Sequence, residues 1–297
     1  MSYNTRLRKG VVMADNVEEN SQVGNDYKKY SYFIILFTAV YLLVAYIMIF
    51  LVDFINIFGS SSWMVKNGYV PPLLWFHLFK EASITECLQW LFLGLSLILA
   101  IYCRNLKAII NGSHSTSLWY FLYLGLLLMI VEDVLNFRFW LLGVAARSVQ
   151  IEYYSFARSI WGSLIEFCFY FIIGFCMLAF LALIVKKNKE NLFGIKLLLL
   201  GYFFYGIASV GSATRHVNNW YNIAGIELLN FSTRFFSLDW SGDTIVYEYQ
   251  VSGHTLGYWF IDNVIEESFE LLGATFILAS ITAFITYTKA KNYDLSQ

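Results

Sequence analysis

Six long apolar runs separated by polar stretches dominate the chain, at roughly 32–54, 84–103, 118–136, 160–185, 193–213 and 262–287. Each approaches or exceeds the ~20 mainly apolar residues that a helix needs to cross the hydrocarbon core of a bilayer. Backbone N–H and C=O groups find no partners in lipid, so these runs are predicted to be helices, which bond their own backbone. The expected fold class is therefore all-α: a polytopic helical membrane protein with about six transmembrane helices. Residues 1–30 read as a flexible cytoplasmic tail, 31–288 as one membrane domain, and 289–297 as a second short cytoplasmic tail.

Composition agrees with that pattern. Of 297 residues, 58% are hydrophobic and 14% charged, where a soluble domain carries about 25% charged residues. The net charge of −1 offers no basic surface for nucleic acid, so the partner expected is the lipid bilayer. The polar first thirty residues lack the apolar core and small-residue cleavage site of a signal peptide. Cys87, Cys103, Cys168 and Cys176 all fall in or at the ends of apolar runs, with no Cys-x-x-Cys pair. They read as small apolar residues.

Lysine and arginine orient the chain. With the N-terminus inside, the inner segments hold Lys28, Lys29, Arg104, Lys107, Lys186, Lys187, Lys189, Lys289 and Lys291, among others. The longer outer loops hold Lys66, Lys80, Arg138, Arg147, Arg158, Arg215 and Arg234. This is the positive-inside bias, and it places both termini in the cytoplasm at the cell membrane. The outer loops carry structure of their own. Residues 56–80 suggest an interfacial or re-entrant segment, 137–159 an interfacial helix, and 231–251 a small β-hairpin around Ser241-Gly242-Asp243. Seven of nine tryptophans lie in outer loops or at outer helix ends, as an aromatic interface belt would place them.

Acidic residues inside spans are costly, by at least ~2.5 kcal/mol near the centre. Here Glu81, Glu86 and Gln89 open the second span, Glu132 and Asp133 close the third, Glu166 lies in the fourth, and Asp262, Glu266, Glu267 and Glu270 open the sixth. On the assigned topology all of them lie in the outer half. So do Arg215 and His216, which end the fifth span. At ~100° per residue, Asp262, Glu266, Glu267 and Glu270 share an arc of roughly 140°. Glu81, Thr85, Glu86 and Gln89 fill the matching arc of the second span. The two stretches align: Glu81-Ala-Ser-Ile84-Thr-Glu86-Cys-Leu-Gln89 parallels Asp262-Asn-Val-Ile265-Glu-Glu267-Ser-Phe-Glu270.

Two readings of these acids stand side by side. The helix macrodipole favours acids in a first turn, which accounts for Glu81 and Asp262, and pairing with Arg138, Arg158 or Arg215 would make others structural. Acids at i and i+4 repel, however, unless a proton, cation or base sits between them, which is what a working site supplies. His77, His216 and His254 show no metal-ligand spacing, and His114 reads as solvated. Glycine loops for phosphate, dinucleotide fingerprints and nucleophile elbows are missing from the sequence. Gly206, Ala208, Ser209, Gly211 and Ser212 make one side of the fifth span small, as close helix packing requires.

The acidic start of the second span, then Val131-Glu132-Asp133-Val-Leu-Asn-Phe137-Arg138-Phe-Trp140, then Ile265-Glu266-Glu267-Ser-Phe-Glu270, together resemble a group of uncharacterised bacterial multi-pass membrane proteins. Those carry a Glu-rich helix start and a Glu-Glu pair leading into Ser-Trp-Gly-Gln-Arg. Here Glu132-Asp133 stands at the pair and Ser-Trp-Gly-Gln is missing. The resemblance implies the architecture and the choice of polar positions, and brings no activity with it.

Three functions fit the sequence. In the first, a membrane enzyme opens its site to the outer leaflet. Glu86, Glu132, Asp133, Glu267 and Glu270 act as acid and base or hold a divalent cation. Arg215 and His216, with Glu81 and Gln89, bind a lipid-linked or anionic substrate. Carboxylate oxygens suit Mg, Ca or Mn, and added histidine shifts the preference toward Zn. In the second, the acids carry a cation or proton across the membrane. In the third, they fix helix packing in a non-catalytic subunit.

Overall fold

The computed structural model describes residues 28–69, 73–111, 117–135, 140, 143–144, 156–187, 191–215, 217–236, 250–251 and 254–296. The first helix, α1 (Lys28–Phe54), closes in a π-helical turn over Phe50–Phe54. Short helices α2 (Ser60–Lys66) and α3 (Leu74–Phe79) follow. The long helices are α4 (Ile84–Asn111), α5 (Ser117–Leu135), α6 (Phe156–Lys187) and α7 (Leu192–Thr214). After α8 (Trp220–Phe236) come α9 (Leu256–Trp259), a π-helical segment Phe260–Glu266 and α10 (Glu267–Ser296), contiguous with one another.

Among the described residues, five stretches are long and apolar enough to cross a membrane: Lys28–Phe54, Leu74–Asn105, Leu164–Lys186, Leu192–Thr214 and Leu256–Ala290. The chain is thus a polytopic helical membrane protein. The remaining predicted span corresponds to the 19-residue α5.

Helices α4, α5, α6, α7 and α10 pack in a closed ring, each against the next and α10 back against α4. Helix α10 is the hub. Leu271, Ala274, Ile277, Ile281 and Ala283 on it are fully buried. Its contact with α7 is close because both helices offer glycine there. A Cβ on Gly201 would stand 2.8 Å from Ile277 Cγ1 and 3.1 Å from the Gly273 carbonyl oxygen. The predicted small-residue side of α7 is thereby divided. Ala208 and Ser212 are buried, but Gly206 faces open space with nothing within 4 Å of a Cβ.

Polar side chains fasten α1 to the outside of this ring. Ser31 Oγ donates to the Ala279 carbonyl at 2.7 Å, Thr38 and Thr275 hydroxyls meet at 2.9 Å, and Tyr46 and Ser268 at 2.9 Å. The Tyr41 hydroxyl reaches Thr85 on α4 at 2.8 Å. Lipid tails are as apolar as the helices, so hydrogen bonds and close packing, rather than hydrophobicity, hold one span against another.

Three loop expectations meet the structure differently. Within 231–251, residues 231–236 are the end of α8, and 237–249 lie outside the described residues. The β structure present is a two-residue antiparallel pair, β1 (Gln250–Val251) with β2 (His254–Thr255). Of 137–159, Trp140, Gly143 and Val144 are helical and 156–159 belong to α6. The segment 56–80, expected as an outer loop, carries structure, and from Leu74 onward it belongs to the apolar stretch Leu74–Asn105. In it Asp53, at the end of α1, caps α3 by accepting from the Leu74 and Trp75 N–H groups at 2.6 and 2.8 Å. Trp75, assigned by sequence to the interface belt, is fully buried and stands edge-on to Phe260 at 5.5 Å.

Candidate functional site

The buried acids fall into two groups. The first surrounds Arg215, which caps the end of α7. Its guanidinium meets Glu166 Oε1 of α6 at 3.1 Å and Asp262 Oδ1 of the π segment at 3.2 Å. Arg215 and Glu166 are both buried. Burial works against the arginine's charge, but Asp262 and Glu166 outweigh it and hold the guanidinium well above its usual value. Beside them the Tyr221 hydroxyl donates to Glu266 Oε2 at 2.7 Å. Burial and that carboxylate push the Tyr221 phenol upward. Thr255, which caps α9, bonds to Asn222 of α8.

The second group gathers Glu86, Gln89, Glu132, Asp133, Glu267 and Glu270 from α4, α5 and α10. Gln89 sits at its centre, fully buried. Its side-chain NH2 donates to Asp133 Oδ2 at 2.8 Å and to Glu270 Oε2 at 2.7 Å. Glu267 lies in the fields of Glu270, Glu86 and Asp133. Glu132 lies in that of Glu86. Tyr205 of α7 completes the group against Asp133, Glu270 and Glu267. Buried polar atoms here without a hydrogen bond include Glu267 Oε2 and the Tyr202 hydroxyl, while the Tyr205 hydroxyl faces the Gln89 side chain. Most buried polar atoms are paired, so each of these leaves room for a further hydrogen-bond partner.

A cavity of about 310 Å³ adjoins this group between α5, α6, α7 and α10. Glu132, Asp133, Glu270, Tyr202 and Tyr205 supply much of its polar wall, and Met129, Ile173 and Met177 lie on its apolar wall. Pockets of this size take small ligands or part of a larger one.

The sequence-selected residues are therefore partly united. Glu86, Gln89, Glu132, Asp133, Glu267 and Glu270 come together. The aligned positions of the two matching stretches meet in space, Gln89 on Glu270 and Glu86 near Glu267. Arg215 stands apart, committed to Glu166 and Asp262. Glu81 is exposed in the turn before α4. His216 lies outside the described residues.

Glu86 also has a local task. It bonds back to the Ala82 N–H, and the Ser83 hydroxyl accepts from the Glu86 N–H at 3.5 Å. This is one half of the capping box that Ser-x-x-Glu encodes at a helix start; the Glu86 carboxylate reaches one residue further back, to Ala82, because the Ser83 N–H donates to the Lys80 carbonyl. Tyr202, Tyr205 and Glu166 were not selected as site or pairing residues. No motif flags a tyrosine in an apolar span, and only the packing of α7 on α10 brings these two to the acids. His77 packs edge-on against Tyr69 and Phe76.

Among the described residues, no three His, Cys, Asp or Glu side chains converge as metal ligands would. The arrangement can accept hydrogen bonds and share protons among neighbouring carboxylates, as general acid–base chemistry requires. No family model, no curated protein and no solved structure matches the chain.

Proposed function

We propose that this protein is a six-span membrane protein of the cell membrane. In this reading both termini are cytoplasmic, and the Gln89-centred carboxylate group is a working polar site toward the outer side. α5 serves as the sixth span, its 19 residues close to the ~20 a bilayer core needs. The Lys and Arg distribution sets the orientation. With Lys187→Cys and Ser241→Cys in a cysteine-free background, an impermeant thiol reagent applied to intact cells should label position 241 alone. Labelling at 187 with none at 241 reverses the orientation.

The site reading is that of an acid–base membrane enzyme drawing its substrate from the lipid phase. Glu267 carries it: among the described residues it has no ion pair, and its charged neighbours are Glu270, Glu86, Asp133 and Glu266, all acids. A purely structural acid in a membrane is expected to be paired, as Glu166 is with Arg215. Active sites hold unfavourable arrangements that the rest of the fold stabilises. Glu267→Gln is therefore expected to keep or raise the thermal midpoint in detergent, whereas Glu166→Gln lowers it. A Glu267→Gln protein as damaged as Glu166→Gln would return the acids to a structural role.

A further inference from the structure

We propose that the cavity between α6 and α7 receives the head group of a long-chain amine, which enters sideways from the lipid with its alkyl chain lying along those two helices. This deepens the site reading above and rests on it.

The head-group chemistry follows from the cavity wall. The polar wall of the cavity includes Glu132, Asp133 and Glu270, all acceptors when ionised, with no Lys or Arg among its lining residues, and the buried Tyr202 hydroxyl there makes no hydrogen bond. An ammonium brings three donors and no acceptor, which complements that set. An anionic head would face Glu132, Asp133 and Glu270 across the cavity. The cation best placed by sequence to meet an anion, Arg215, is engaged with Glu166 and Asp262 and does not line the cavity.

The route follows from the rim. Leu178 and Val210 line the cavity, yet both are more than half exposed on the outside of the ring. An apolar groove along α6, walled by Leu164, Phe167 and Phe171, shares Tyr170, Ser209 and Val210 with the cavity. On a membrane-spanning helix pair this face meets acyl chains, so an alkyl chain in the groove stays in its own solvent while its head reaches the acids. Gly206 keeps the passage open, because any side chain there would project into it.

The test uses the full chain in phosphatidylcholine nanodiscs. Thermal unfolding is followed with dodecylamine, dodecanol or dodecanoate at equal mole fraction in the bilayer. Dodecylamine is expected to raise the midpoint by several degrees and the other two to leave it within error. Gly206→Leu, which fills the passage, and Val210→Trp, which blocks the exposed rim and perturbs no buried contact, should each abolish the rise. Leu36→Trp, on the lipid face of α1, should keep it. An equal response to dodecanol or dodecanoate overturns the proposal. So does no response to the amine, or a parent-like rise in Val210→Trp. If Glu267→Gln meanwhile shows the stability expected above, the site reading stands and only the amine is wrong. If both fail, the acids are structural.

Discussion

The two buried acid groups differ in how their charges are compensated. Around Arg215, Glu166 and Asp262 share one guanidinium and Glu266 takes a phenol hydroxyl. Around Gln89, a single neutral amide serves two carboxylates, and Glu267 stands among acids with no cation paired to it among the described residues; a buried carboxylate oxygen without a hydrogen bond occurs in both groups, on Glu166 and on Glu267. Both groups draw on the same stretch, Phe260–Glu266 continuing into α10. Proximity to acids is thus shared and balance is not. The balanced group joins α6, α7, α8 and the π segment, and lies where the chain leaves the bundle. The unbalanced group adjoins a cavity.

This contrast is sharpest if Arg215 is removed. Arg215→Gln leaves Glu166 and Asp262 buried without their cation, and breaking such a pair costs about 3–5 kcal/mol. The folded yield and thermal midpoint should fall steeply, and Glu166→Gln added to Arg215→Gln should recover part of the loss. A mild single variant would erase the distinction between the groups. A smaller effect is expected on the cavity side from Gly273→Ala. The new methyl would collide with the Tyr205 ring, and overpacking of this kind costs about 1–3 kcal/mol. Tyr205 lines the cavity, so a displaced ring is expected to shrink the amine response together with the stability. Glu267→Gln closes the order, with no loss expected.

The ring of helices was largely legible, and particular residues show why. Lys28–Phe54 and Leu192–Thr214 carry no charged residues besides Lys28, Lys29, Asp53 and Lys196, and length and hydropathy identify them. The shared arcs of Glu86 and Gln89 with Glu267 and Glu270 placed those acids on facing sides, because helical spacing fixes direction around an axis. The partners were not legible. Nothing in the local pattern chooses Glu166 over Glu267 for Arg215, since that depends on how far α7 runs before its last turn meets α6. Of the hairpin expected over 231–251, residues 231–236 belong to α8, where tertiary context overrides β propensity, and the turn around Ser241 lies outside the described residues.

By itself the sequence determined that the chain forms helices in a membrane, where the acids stand along each, and that α4 and α10 carry matching polar faces. Those properties follow from hydropathy and a fixed angular step per residue, both local. Only the tertiary structure decided which acid received the arginine, which glycine became a contact and which an opening, and which tyrosines joined the acids. Gly201 and Gly206 are alike in sequence and differ only in facing, one α10 and the other open space. Such choices depend on how separate helices dock, and no single segment encodes the surface of its neighbour.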